Sequence, residues 1–156
     1  MQMNIQLDQI DKKILTHLQR DARLSYNALA KLVNLSAPSI AERVRRMEDV
    51  GLIEGYQVIL NRQLLGWDIT AFIRLICPGE RYQTVHRLAI EVPEVLECHH
   101  VTGEDSFILK VTASDMGHLE QVISRFRGFG QSISSVVMST DVETKPAPLN
   151  KIRLSK

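Results

Sequence analysis

Three arginines, Arg43, Arg45 and Arg46, stand within four positions of one another, and two serines, Ser36 and Ser39, precede them. A guanidinium can grip phosphate oxygens or the O6/N7 edge of guanine, and a serine hydroxyl can donate to a phosphate or a base. At helical spacing Ile40, Val44 and Met47 share one face and would pack inward. Ser39, Glu42, Arg43 and Arg46 share a different face, available to a ligand. The chain average conceals this cluster. With 19 basic and 18 acidic residues the formal net charge is +1, so any nucleic acid must be met by a local patch. The same residues also suit the solvated charged face of an ordinary small helical domain.

Other candidate chemistry is thinner. Cys98-His99-His100 puts Cys98 and His100 on one side of a strand, but no fourth ligand lies at fitting spacing, and strand packing rather than metal is expected. Gly128-Phe129-Gly130 precedes a strand, whereas a phosphate-binding fingerprint opens a helix. No set of nucleophile, base and orienting group assembles, so neither an enzyme nor a cofactor is expected. The two cysteines, Cys77 and Cys98, make no disulfide framework and fit a reducing compartment. No apolar run reaches the roughly 18–20 residues that cross a bilayer, and Met1–Asp8 lacks the basic start and apolar stretch of a signal peptide. A cytoplasmic protein without a membrane partner is expected.

The elements that would position these residues follow from periodicity and caps. Ile10, Ile14, Leu15 and Leu18 recur at helical spacing after Asp8, an N-cap type. Asp21–Leu24 breaks the pattern, and Ser25 can cap a second helix carrying Leu29, Leu32 and Val33. Asn34-Leu35 forms a short connection to a third helix, capped by Ser36 with Pro38 in its first turn. Ser39-x-x-Glu42 spells a capping box as well, which would start that helix three residues later. Gly51 ends it. Two helices joined by so short a turn are the geometry of a helix-turn-helix. Ile53–Leu60 then reads as a short strand and Asn61–Trp67 as a linker. Strands are predicted at Ile69–Cys77, Val95–Thr102, Ser106–Ala113 and Ile133–Val142, with helices at Tyr82–Val92 and Met116–Phe126 and a polar, mobile tail from Pro146 to Lys156. The order β-α-β-β-α-β is the split βαβ arrangement of a ferredoxin-like sandwich. One sheet face would remain open, carrying either Leu109 and Val111 or Ile108 and Lys110. Both sets contain apolar residues, so self-association through the sheet is expected. The expected divisions are 1–54, 55–67, 68–142 and 143–156: helical domain, strand and linker, α+β domain, and tail.

Leu7-Asp8-x-x-Asp11-x-x-Ile14-Leu15, Leu24-Ser25, and Leu35-Ser36-x-x-Ser39-Ile40-x-x-Arg43-Val44-Arg45-Arg46-Met47-Glu48-x-x-Gly51-Leu52-Ile53 closely resemble the Lrp/AsnC ("feast/famine") transcription regulators. Val101-Thr102-Gly103 followed by Phe107-Ile108-Leu109-Lys110-Val111 resembles that family's regulatory (RAM) domain. The resemblance implies an α+β chain: an N-terminal trihelical (winged) helix-turn-helix domain, then a ferredoxin-like βαββαβ domain. It also implies double-stranded DNA as partner, a dimer or an octamer of four dimers, and an amino-acid effector. Ser36, Ala37, Pro38 and Ser39 would open the recognition helix at the groove. Arg43 and Arg46 would be the main DNA contacts. Arg45, a quarter-turn or more away, would touch backbone or an acidic neighbour, and Glu42 would pair with Arg46 at i,i+4. The effector would lie at the turn Gly103, Glu104, Asp105 and Ser106, where Gly103 matches the family glycine and Ser106 replaces an aspartate of many members. An ordinary hairpin turn explains the same four residues. Three functions stay open: a sequence-specific regulator tuned by an amino acid, an architectural protein that compacts DNA, or an amino-acid-sensing module whose helices bind a protein.

Overall fold

The structure, a computed structural model, describes residues 7–151, so Met1–Gln6 and the last five residues of the expected tail lie outside it. The described residues divide into two compact units: 7–59 with 142–151, and Leu60–Asp141.

Local capping sets the helices of the first unit. Helix α1 (Gln9–Leu18) begins with a reciprocal pair. The Asp11 N–H donates to Asp8 Oδ1 at 2.8 Å and the Asp8 N–H donates to Asp11 Oδ2 at 3.0 Å. That satisfies two backbone donors that helix geometry leaves without partners. Ser25 caps α2 (Tyr26–Val33), and Asn34 closes it in the left-handed region at φ 57°. Ser36 caps α3 (Ala37–Asp49), accepting from the Ser39 N–H at 3.3 Å. Of the two possible starts, the earlier is adopted, and it leaves Pro38 in the first turn, where its missing N–H costs nothing. Ile14, Leu29, Ile40, Val44 and Met47 are fully buried in the shared core. Each such side chain stabilises the unit by about 1.5–3 kcal/mol.

Two expectations for this unit are corrected. The segment Ile53–Leu60, expected to form a strand, forms none. A strand needs a partner edge for its N–H and C=O groups. Here Val58, Ile59 and Leu60 are 77%, 81% and 61% exposed. The tail is also less loose than its composition suggests: Leu149, in a 3₁₀ turn at Leu149–Lys151, packs against the first unit's core.

The second unit is a four-stranded sheet in the order β2-β3-β1-β4, from β1 (Ile69–Ile76), β2 (Val95–His100), β3 (Phe107–Ala113) and β4 (Gln131–Val136). Its helices are α4 (Tyr82–Glu91) and α5 (Met116–Arg127). Strand alternation divides the faces. Ala71, Ile73 and Leu75 of β1 and Leu109 and Val111 of β3 are buried in one core with Val85, Leu119 and Phe126 of the helices. Of the two alternatives, Ile108 and Lys110 therefore lie on the other face. They join Phe72, Arg74 and Ile76 of β1 and Ile133 of β4, by the registers Arg74↔Ile108 and Arg74↔Ile133. β4 runs from Gln131 to Val136, not from 133 to 142, because it pairs against β1 and its ladder ends where the Val137 N–H reaches Thr70. Gly130 is required just before β4, since a Cβ there would meet the Ile76 carbonyl oxygen at 2.0 Å.

Candidate nucleic-acid interface

Helix α3 buries Ile40, Val44 and Met47 and exposes Pro38, Glu42, Arg45, Arg46 and Asp49. Its opening turn presents Ser36 and Pro38 to solvent, with Ala37 and Ser39 partly covered. The Ser36 and Ser39 hydroxyls lie 2.9 Å apart, so one proton serves their mutual bond and the other is left to donate outward.

The arginines divide in a way that spacing did not anticipate. Arg43 lies beside the core face, and its Nη1 donates to Asp8 Oδ2 at 2.6 Å and to Asp11 Oδ1 at 2.8 Å. Nη2 of Arg46 donates to Asp11 Oδ2 at 2.7 Å. Asp11 is 0% exposed, so a buried carboxylate on α1 grips two arginines of α3. The hydrogen bond to Asp11 raises the Arg43 pKa further above its ordinary value, which locks the charge in place. Burial alone would lift the Asp8 carboxyl, but the Asp11 N–H and the Arg43 guanidinium outweigh it and hold Asp8 below the usual carboxylate range. The expected Glu42–Arg46 pair is replaced by Arg46–Asp11, because a desolvated acceptor offers a stronger charge-assisted bond than an exposed one. Arg45, expected to turn away, stands on the outermost face and has no ion pair among the described residues. Behind the helix, the Tyr56 hydroxyl donates to Glu48 Oε1 at 2.8 Å, and burial followed by Glu48 pushes its pKa up to about 12. Asp11 was missed as a site residue; Asp8-x-x-Asp11 at cap spacing was its only local signal.

In the second unit the four predicted turn residues lie together but differ in availability. Gly103 has φ +116°, a conformation that favours glycine, and Glu104 is exposed. Asp105 is taken by Arg74, whose Nε lies 3.1 Å from Oδ2. Ser106 is 7% exposed: its hydroxyl accepts from the Cys77 N–H and donates to the Cys77 carbonyl, both at 3.1 Å. Its side chain ties the end of β1 to the start of β3. His100 stacks edge-on with Tyr82 at 4.7 Å, and both line an open groove of about 490 Å³ with Phe107, His86, Arg87 and Ile90. Sequence reading had not marked that groove, whose walls come from separate elements. No cluster of three potential metal ligands occurs among the described residues.

Residues 7–48 match the AsnC-type helix-turn-helix domain and residues 70–147 match the Lrp/AsnC ligand binding domain. The chain belongs to the Lrp/AsnC family. The HTH-type transcriptional regulator Rv2324 of Mycobacterium tuberculosis is 36% identical over 144 residues, covering 90% of this chain and 97% of that protein. LrpC of Bacillus subtilis superposes with a TM-score of 0.84 at 28% identity, covering 90% of this chain and 100% of that one. The transcriptional regulator NMB0573 of Neisseria meningitidis, solved as a complex with L-Met, superposes with a TM-score of 0.87 at 29% identity, over 92% of this chain and 97% of that one. This Lrp/AsnC chain is a transcription regulator with a DNA-binding helix-turn-helix and is not an enzyme. Among its described residues no helix is long and apolar enough to cross a membrane.

Proposed function

We propose that the chain is a sequence-specific regulator that reads double-stranded DNA with α3 and responds to an amino acid through its second unit. The carrying observation is α3 itself. A firmly capped helix buries one apolar face and turns Ser36–Ser39 and Arg45 outward, within the stretch matched by the helix-turn-helix family. The N-terminal end of such a helix can approach base edges in the major groove. A dimer is the natural reader, since half-sites repeat by twofold symmetry. The exposed apolar run Val58–Leu60, with Phe72, Ile76 and Ile133 on the open sheet face, supplies surface that a second copy would cover. Octamers would add contacts between such dimers.

The effector reading favours the turn at Gly103. Glycine lets a carboxylate approach backbone N–H groups, and Glu104, free of ion pairs among the described residues, can receive the ammonium group. The L-Met complex of the Neisseria relative supports the ligand class. A cytoplasmic location is consistent with this reading. Footprinting on genomic fragments at stated salt, with and without each amino acid, tests the whole reading. Protected, bounded sites that shift with one amino acid are expected. Uniform coverage insensitive to every amino acid would favour DNA compaction instead.

A further inference from the structure

A free arginine on a DNA-facing helix is drawn to phosphate whatever the sequence, because backbone charge carries no base information. Two of the three arginines on α3 are not free. Asp11 Oδ1 accepts from Arg43 at 2.8 Å, and Asp11 Oδ2 accepts from Arg46 at 2.7 Å and from the Asp8 N–H at 3.0 Å. Asp8 adds a second carboxylate to Arg43 at 2.6 Å. With both oxygens engaged, the buried Asp11 carboxylate cannot rotate. Releasing either guanidinium to DNA would leave a buried charge undercompensated, which is strongly unfavourable.

Arg45 shares its exposure with Arg46 but not its bonding. It is exposed, makes no hydrogen bond or ion pair among the described residues, and shares the outermost stripe of α3 with Pro38, Glu42 and Asp49. That stripe lies opposite Ile40, Val44 and Met47, where a helix laid in a groove meets base edges. Glu42 and Asp49 on the same stripe repel phosphate and so disfavour a purely electrostatic grip. Resting on the reading that α3 enters DNA, we propose that Arg45 is the specificity-determining arginine. Asp11 is then a positioning residue: it fixes α3 against α1 and withholds Arg43 and Arg46 from the DNA backbone.

The test uses the full chain and two duplexes. One is selected from a random-sequence pool by the wild-type protein, and the other is its shuffled counterpart of equal length. Affinities are measured across a salt series, with thermal melts confirming that each variant folds. Arg45→Ala is expected to lower the preference for the selected duplex by about tenfold or more, and to relax discrimination at one symmetric pair of positions. Arg46→Gln is expected to leave the salt slope unchanged, whereas a phosphate contact would be lost with a slope change of about 0.9. Asp11→Asn, where it folds, is expected to steepen the slope on the shuffled duplex by up to about 0.9 for each arginine released. An undiminished preference in Arg45→Ala overturns the assignment, as does a flatter slope in Arg46→Gln. Wild-type protein that selects no sequence from the pool overturns the underlying DNA reading, and the assignment with it.

Discussion

Ser106 shows how a single hydroxyl can be spoken for. It closes the Cys77 N–H and C=O in a buried position, so Ser106→Ala leaves two backbone groups without partners. The expected loss is about 1–3 kcal/mol, read as a lower denaturant midpoint with an unchanged slope. A midpoint within experimental error of wild type would show that water or a backbone shift replaces the hydroxyl. Gly103 is a different case: open space surrounds the site of its missing Cβ, and only its φ of +116° resists a side chain. Gly103→Leu should therefore cost about 1–3 kcal/mol of strain at the turn. It should also abolish any amino-acid response measured by calorimetry while leaving DNA affinity in place. A variant that still binds the amino acid would move the effector away from this turn.

At the scale of elements, the seam between α1 and α3 depends on ionised carboxylates. Asp8 caps α1 and also holds Arg43, and its folded pKa lies below the ordinary 3.8. A depressed carboxylate stabilises the fold fully above its unfolded pKa and loses that contribution as pH falls through the folded value. Thermal stability should therefore decline as pH drops below about 4, through the loss of Asp8's cap and ion pair. Asp8→Asn should be less stable at neutral pH and should flatten that acid decline. An acid profile identical to wild type would show that other carboxylates dominate the transition. On the proposed reading of DNA by α3, this seam would hold the reading helix still, and Arg43 would couple the Asp8 cap to that role.

For the whole molecule, the decisive expectation is self-association. Val58 and Ile59 are exposed at 77% and 81% and pair with no strand among the described residues. An extended apolar segment of this kind matches an edge offered by another copy. The doubly charged variant Val58→Glu with Ile59→Glu should fold, since neither side chain supports a core, yet should shift light scattering towards monomer. Affinity for a palindromic site should fall with it, because two linked readers bind far more tightly than one. A variant that stays dimeric would transfer the interface to the open sheet face around Phe72 and Ile133.

Local chemistry alone settled where α1 and α2 begin and where β1 and β3 run, though not where β4 ends. Asp8, Ser25 and Ser36 act within three residues of themselves, and the alternation through β1 and β3 is written in neighbouring side chains. The chain's own motifs likewise announced its family. What the sequence could not disclose was the employment of polar groups whose partners lie far along the chain. Arg43 and Arg46 share an open face on a helical wheel, but Asp11, more than thirty residues away, takes both. Ser106 reads as a turn residue until Cys77, 29 residues earlier, folds beside it. Ile53–Leu60 has strand composition, yet a strand exists only when another edge supplies its hydrogen bonds, and no described residue pairs with it as a strand. Caps and alternation are short-range and legible; charge pairing, burial and strand partnership belong to tertiary structure, because each depends on what distant residues bring alongside.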